Sequence, residues 1–385
     1  MSERLAIAAG RIFDGDAWHE DAALLVADGL VEGIVARSDV PAGVKVTEAG
    51  AMLVPGFIDL QVNGGGGLML NDKPDVDTLE IVCKAQMAFG TTAVLPTLIT
   101  DTPEITRSTI AAGIEAARRK VPGFLGLHLE GPHLSLARKG AHDPKLIRPM
   151  DTDDEAMLVA ARPSMPVLLT TIAPESVKAE QVKTLADAGI VVSLGHTDTS
   201  YRTATEYAEA GATMATHLFN AMSQIGNREP GLVGAAVETG TMWAGLIADG
   251  IHVDPAAMQI ALKAKNGPAR IFLVSDAMAT IGTDLKSFQL NGRTIKRENG
   301  RLTLEDGTLA GADLDMISAV RFMHEKMGFS LDETIRMASL YPAEAVKQEH
   351  RLGRLAKGFA ANAVQLTGAL DVSGTWIDGR KVFSA

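Results

Sequence analysis

Eight short runs rich in β-branched residues recur through the middle of the chain, and most are followed by an Ala-rich amphipathic segment. This alternation restricts the fold more than any other feature. The runs are GFIDL, TAVLPT, FLGLHLE, PVLLTTI, IVVSLG, TMATH, AGLIA and IFLVS, ending near residues 60, 97, 130, 172, 195, 217, 248 and 275. The mean spacing is about 31 residues, so eight units need roughly 250 residues, the usual length of a barrel of eight parallel strands and eight helices. Segments such as TLEIVCKAQMAFG and AEQVKTLADAG carry periodic apolar positions and close at Gly, a C-terminal cap signal. A (β/α)8 barrel over residues 55–345 is the expected fold.

Both ends of the chain read differently. LAIAAGRIF, ALLVA and LVEGIVA near the start, and NAVQL, TWI and RKV near the end, are short strands. Asp28-Gly29 and Asp378-Gly379 sit between two of these pairs, and such dipeptides suit two-residue hairpins because both positions tolerate positive φ. The pattern predicts that residues 1–54 and 346–385 build one small β-sandwich domain together.

Lys and Arg number 36 against 47 Asp and Glu, a formal charge of −11, the wrong sign for a nucleic-acid or anionic-membrane partner. No apolar run approaches the roughly 18–20 residues that span a bilayer. The start, Met1-Ser2-Glu3-Arg4, lacks a basic segment followed by a long apolar core, and Cys83 is a lone cysteine. A cytoplasmic enzyme is expected.

In a barrel of this kind the reactive side chains stand at the C-terminal ends of the strands. The first run ends in Gln61-Val62-Asn63 before four glycines, the third in Glu130, the fifth in His196, the sixth in His217 and the eighth in Asp276. A single histidine after an apolar run is ordinarily a satisfied core residue. Here Glu130, His196 and His217 come from nearby strands at one rim, and two histidines with one carboxylate suit a catalytic Zn2+ that keeps one position for water. Asp276 beside such a site can take a proton from that water and later deliver it to a leaving group, the alternative being an N-cap of the following helix. His128 lies two residues before Glu130 and so points to the same side of its strand, as a supporting or simply buried residue.

The strings VPGFIDLQVNGGGG (54–67), LPTLIT (95–100), GLHLEGPHLSLARKGAH (126–142), SLGHT (193–197), THLFNAMSQIGNREPG (216–231), IADGIHVD (247–254) and LVSDAMA (273–279) carry a resemblance. Together they resemble the N-acetylglucosamine-6-phosphate deacetylase family of the amidohydrolase superfamily, almost end to end. The resemblance implies hydrolysis of the acetamide of N-acetyl-D-glucosamine 6-phosphate. It places metal ligands on Glu130, His196 and His217, and the catalytic acid/base on Asp276. It implies that His142 meets the substrate near the amide, where it can polarise the carbonyl, and that Ala141, Leu309, Ala310 and Gly311 contact the sugar or its N-acetyl group. Asn220, Ala221 and Arg228 fall in the sugar-phosphate contact region, and His252 on a further substrate contact. It also implies a homodimer, with Arg228 able to reach the phosphate across the interface, where its simplest alternative is a surface ion pair with Glu229.

Many amidohydrolases place His-x-His at the end of the first strand to hold a second metal, whereas this chain has Gln61 and Asn63, and amides are poor zinc ligands. One divalent ion is expected, Zn2+ first, with Fe2+, Mn2+ and Co2+ as alternatives. Two other readings share parts of this pattern: a different amidohydrolase, such as a deacylase of N-acyl amino acids or a cyclic amidase, and a sugar-phosphate binding protein without turnover.

Overall fold

In the computed structural model, which describes residues 4–385, the eight apolar runs form eight parallel strands. These are β1 (Phe57–Val62), β2 (Thr91–Ile99), β3 (Gly126–Glu130), β4 (Val167–Ile172), β5 (Val191–Leu194), β6 (Ala212–Ala215), β7 (Trp243–Ile247) and β8 (Ile271–Val274). Each pairs with the next, and β1 and β8 close the ring through the Asp276 N–H to the Gln61 carbonyl at 3.0 Å and the Asn63 N–H to the Ala277 carbonyl at 2.8 Å. Nearly every strand residue is buried, as expected of a parallel sheet covered on its outer face by helices and filled inside by side chains.

The helices start where short polar residues cap them. Asp75, Thr102, Ser200 and Asp254 each accept a backbone N–H from the first turn of the helix that follows. Packing is close enough that composition matters at single atoms: a Cβ on Gly113, in the helix Pro103–Arg119, would lie 2.4 Å from Leu127 Cδ1 of β3. Only glycine lets that helix approach. Among the described residues no helix is long and apolar enough to cross a membrane.

Both chain ends join one eight-stranded sheet, meeting where Met52–Pro55 runs antiparallel to Ala363–Leu366 with Val54 opposite Val364. The two predicted hairpin turns are present, with φ of 51° at Asp28 and 47° at Asp378. Met52–Pro55 runs almost directly into β1, so this sheet anchors the first barrel strand.

A further element departs from the simple barrel. After β8 the chain forms a four-stranded antiparallel sheet, Ser287–Leu290, Arg293–Glu298, Arg301–Thr303 and Leu309–Ala312, before the next helix begins at Met316. Its first two turns are Asn291-Gly292 and Asn299-Gly300, with both asparagines at positive φ. Asn-Gly between extended segments is a strong hairpin signal.

Asp59 lies on the seam between β1 and β8. Its Oδ1 accepts the backbone N–H of Gln61 at 3.2 Å and of Ser275 at 3.3 Å, while Oδ2 has no partner. Burial pushes its pKa up to about 7 against these hydrogen bonds. In the unfolded chain the carboxyl ionises near its ordinary value of 3.8, so the folded state holds the extra proton between the two values, and the cost of burying this acid grows as pH rises through that window. Asp59→Asn should therefore raise Tm by an amount that widens from about pH 4 to about pH 7 and stays level above it. Equal Tm differences at about pH 5 and about pH 8 would show that Asp59 does not titrate in this way.

Candidate active site

Four polar residues leave the barrel at the same rim: Glu130 ends β3, while His196, His217 and Asp276 follow β5, β6 and β8. His196, His217 and Asp276 have φ of 48°, 30° and 52°. A non-glycine residue held at positive φ costs on the order of 1–3 kcal/mol and persists only where its surroundings over-determine it. Here the turn aims each side chain across the mouth of the barrel instead of along the strand.

Glu130 Oε1 lies 3.2 Å from His196 Nε2 and 3.0 Å from His217 Nε2, and the two Nε2 atoms are 3.0 Å apart. All three residues are buried. His196 Nδ1 is 2.9 Å from the Arg138 carbonyl, which can only accept, so Nδ1 carries the proton and Nε2 turns a lone pair inward. Burial opposes charge on Glu130, but the His196 and His217 imidazoles facing it outweigh burial and hold the carboxyl well below its usual range. Burial likewise works against a charged His217, yet Glu130 raises its pKa above the ordinary value. A buried carboxylate facing two imidazole nitrogens attracts positive charge, and the donor set fits a divalent cation. His142 also approaches: Glu130, His142 and His196 offer atoms within 4.8 Å of one another, and the His142 and His196 rings stand edge to face at 4.3 Å. The geometry thus supplies a fourth candidate donor beside the expected three.

Asp276 caps no helix. Its Oδ1 accepts from Asn63 Nδ2 at 2.6 Å and from Gln61 Nε2 at 3.2 Å, and the same Gln61 nitrogen lies 3.2 Å from Glu130 Oε1. Two amide NH2 groups therefore occupy the side of the site where a His-x-His pair would hold a second ion. Burial first, then repulsion from Glu130, pushes the Asp276 pKa up to about 6, against the hydrogen bond from Asn63. His128 stays outside the site: Nε2 is 2.8 Å from the Thr171 hydroxyl, Nδ1 is 3.3 Å from that of Thr97, and burial takes its pKa down to about 4.

A cavity of about 390 Å³ opens beside these groups. Of the expected substrate contacts, Ala141, His142, Asn220, Ala221 and His252 line it, as do Leu309, Ala310 and Gly311 from the last strand of the inserted sheet. His252 is held by Asp249, Nδ1 to Oδ2 at 2.6 Å. The inserted sheet also clasps the loop that bears His142, through Arg293 Nη2 to the Ala141 carbonyl at 2.5 Å. Leu290 and Thr308, which sequence reading passed over, line the cavity together with Met278, and the two Asn-Gly turns were the available signal for the element that brings Leu290 and Thr308 there. Arg228 does not reach this cavity within one chain. It is exposed and forms no ion pair with Glu229, whose carboxylate instead accepts the backbone N–H groups of Tyr201 and Gly231.

The chain belongs to the amidohydrolase family, whose model matches residues 52–382. Deacetylases of amino-sugar 6-phosphates are among its relatives. It is 40% identical to an N-acetylgalactosamine-6-phosphate deacetylase of Shewanella sp. (strain ANA-3), over 95% of this chain and 93% of that one. It is 36% identical to an N-acetylglucosamine-6-phosphate deacetylase of Haemophilus influenzae, over 94% of each chain. The crystal structure of N-acetylglucosamine-6-phosphate deacetylase from Pasteurella multocida superposes with a TM-score of 0.95 at 35% identity, covering 99% of this chain and 100% of that one.

The donor geometry yields a metal-content prediction. Glu130→Gln or His196→Asn should lower the bound divalent metal severely, because each removes one of about three protein ligands, while Gln61→Ala should leave about one ion in place. Elemental analysis after gel filtration reads this out. Two tightly bound ions in the parent protein, one of them lost with Gln61, would contradict it.

Proposed function

We infer that this chain hydrolyses the acetamide of N-acetyl-D-glucosamine 6-phosphate to D-glucosamine 6-phosphate and acetate. The observation that carries the reading is one cavity in which Glu130, His196 and His217 face each other on one side and Asp276, with a pKa near 6, stands on the other. A divalent ion held by Glu130, His196 and His217 supplies Lewis-acid stabilisation of the negative charge that develops on the amide oxygen. We assign Zn2+, since two imidazoles and a carboxylate are a catalytic zinc set, with Fe2+, Mn2+ and Co2+ able to use the same donors.

The remaining steps belong to the chain's own residues. Asp276, ionised above about pH 6 and held by Asn63 and Gln61, takes a proton from the attacking water. The proton then passes from the Asp276 carboxyl to the departing amine nitrogen, which returns the carboxylate to its starting form. His142 stands over the amide oxygen and donates to it. Asn220, Ala221 and His252, with Ala141 and Leu309–Gly311, shape the sugar and acetamide subsites. The same donors would serve a deacylase of N-acyl amino acids, but that substrate has no phosphate and would leave Arg228 without a role.

For Arg228 we propose a contact with the phosphate of the neighbouring protomer in a homodimer. It is exposed and unpaired among the described residues, and on the same loop Ile225 is 57% exposed. A guanidinium fork suits a phosphate dianion. The acidic surface charge and the unpaired, buried Cys83 fit a cytoplasmic location.

A second reading rests on the 40% identity to a relative named for the galactosamine epimer: the chain accepts the C4 epimer as well or in preference. Acetate release from the two N-acetylhexosamine 6-phosphates and their unphosphorylated forms decides between the epimers and tests the phosphate requirement. No acetate from any of them would overturn the deacetylase reading.

Two further outcomes are expected. Asp276→Asn should retain metal and substrate binding yet lose on the order of 10²–10⁴ in kcat, together with the acidic limb that Asp276 gives the pH–rate profile as it protonates below about pH 6. Arg228→Ala should weaken the phosphorylated substrate by about 2–3 kcal/mol and leave the unphosphorylated sugar nearly unchanged. Mixing Arg228→Ala chains with His252→Ala chains should restore activity after subunit exchange, because one site of each heterodimer is then complete. No recovery would place both residues in the same chain's site.

A further inference from the structure

Two imidazole rings at this site are 4.3 Å apart, and their outer nitrogens meet opposite backbone groups. His196 Nδ1 faces the carbonyl of Arg138, which can only accept. His142 Nδ1 faces the backbone N–H of Thr100 at 3.3 Å, which can only donate, and the Thr100 hydroxyl at 2.7 Å. Thr100 follows β2 directly, so its amide is held in place by the barrel. A nitrogen that accepts an N–H must carry its lone pair there. The proton of a neutral ring is then on the other nitrogen.

We propose that Thr100 is a positioning residue that fixes His142 in the Nε2–H form, which makes His142 a hydrogen-bond donor to the substrate's amide oxygen and bars it from being a fourth metal ligand. The inference rests on the deacetylase reading for the identity of that oxygen. It separates two roles that distances alone leave equivalent, since His142 lies as near Glu130 as a ligand would. A ligating His142 would need its lone pair on Nε2 and a proton on Nδ1; the Thr100 hydroxyl could accept that proton, but it would also meet the Thr100 N–H, which only the lone-pair form of Nδ1 can accept. The same rule applied to His196 gives the opposite form, with the lone pair inward. The fold thus prepares one ring as ligand and its neighbour as donor by what it places behind each, the Arg138 carbonyl behind His196 and the Thr100 N–H and hydroxyl behind His142.

The test is long-range 1H–15N correlation on the zinc-loaded full chain labelled with 15N-histidine, without substrate, with His142 assigned by loss of its signals in His142→Gln. The expected pattern is a protonated Nε2 and an unprotonated Nδ1 for His142. Thr100→Val, which keeps the shape and the backbone N–H but loses the hydroxyl, should lower kcat roughly fivefold with little change in KM or metal content, as one neutral hydrogen bond is worth about 1 kcal/mol. Thr100→Ser should recover most of it. A metal-bound or unprotonated Nε2 on His142 overturns the proposal, as does a Thr100→Val protein with the parent's kcat. The nitrogen signals are read on the resting protein, so they stand whether or not acetate release from the amino-sugar phosphates is found.

Discussion

The closure of the barrel between β1 and β8 is the contact on which the site depends. Gln61 and Asn63 meet Asp276 across more than two hundred residues of chain, and the backbone bonds of the seam hold all three at fixed separation. Opening this seam would release Asp276, the amide groups that donate to it, and the buried Asp59 nearby. The terminal sheet contributes by anchoring Met52–Pro55, which leads almost without a break into β1.

Within that frame two carboxylates of similar intrinsic acidity are driven apart. Glu130 faces two imidazoles and stays ionised, whereas burial and the negative Glu130 raise the Asp276 pKa to about 6 against the hydrogen bond from Asn63. A ligand must hold its charge permanently and an acid/base must exchange a proton near the working pH, so this separation suits Glu130 to the first of the proposed roles and Asp276 to the second. The amide groups of Gln61 and Asn63 donate to the facing Glu130 and Asp276 oxygens.

The wall of the cavity is built from a different principle. Strands end at the rim, but much of the cavity lining comes from loops and from the inserted sheet between β8 and Met316, clasped to the His142 loop by Arg293. Loops vary where the barrel cannot, so the choice of sugar epimer is expected to reside there and not in the metal ligands.

Much of this was legible in the chain itself. Eight apolar runs at near-regular spacing specify the barrel, because a strand buried on both faces must be mostly apolar, and polar residues at the ends of those runs mark the rim. Glu130, His196, His217 and Asp276 were visible for that reason, and the Asp-Gly turns of the terminal sheet for their positive φ. The inserted sheet was overlooked although Asn291-Gly292 and Asn299-Gly300 announced it, since its strands are short and largely polar. What only the tertiary structure decided are relations between distant residues: that Gln61 and Asn63 donate to Asp276, that Arg228 stays outside its own cavity, and that a backbone amide lies behind His142 and a carbonyl behind His196. Residue type determines which atoms can bind a metal or a proton. Which of them do so is set by the groups that packing places around them, and a linear pattern does not contain those distances.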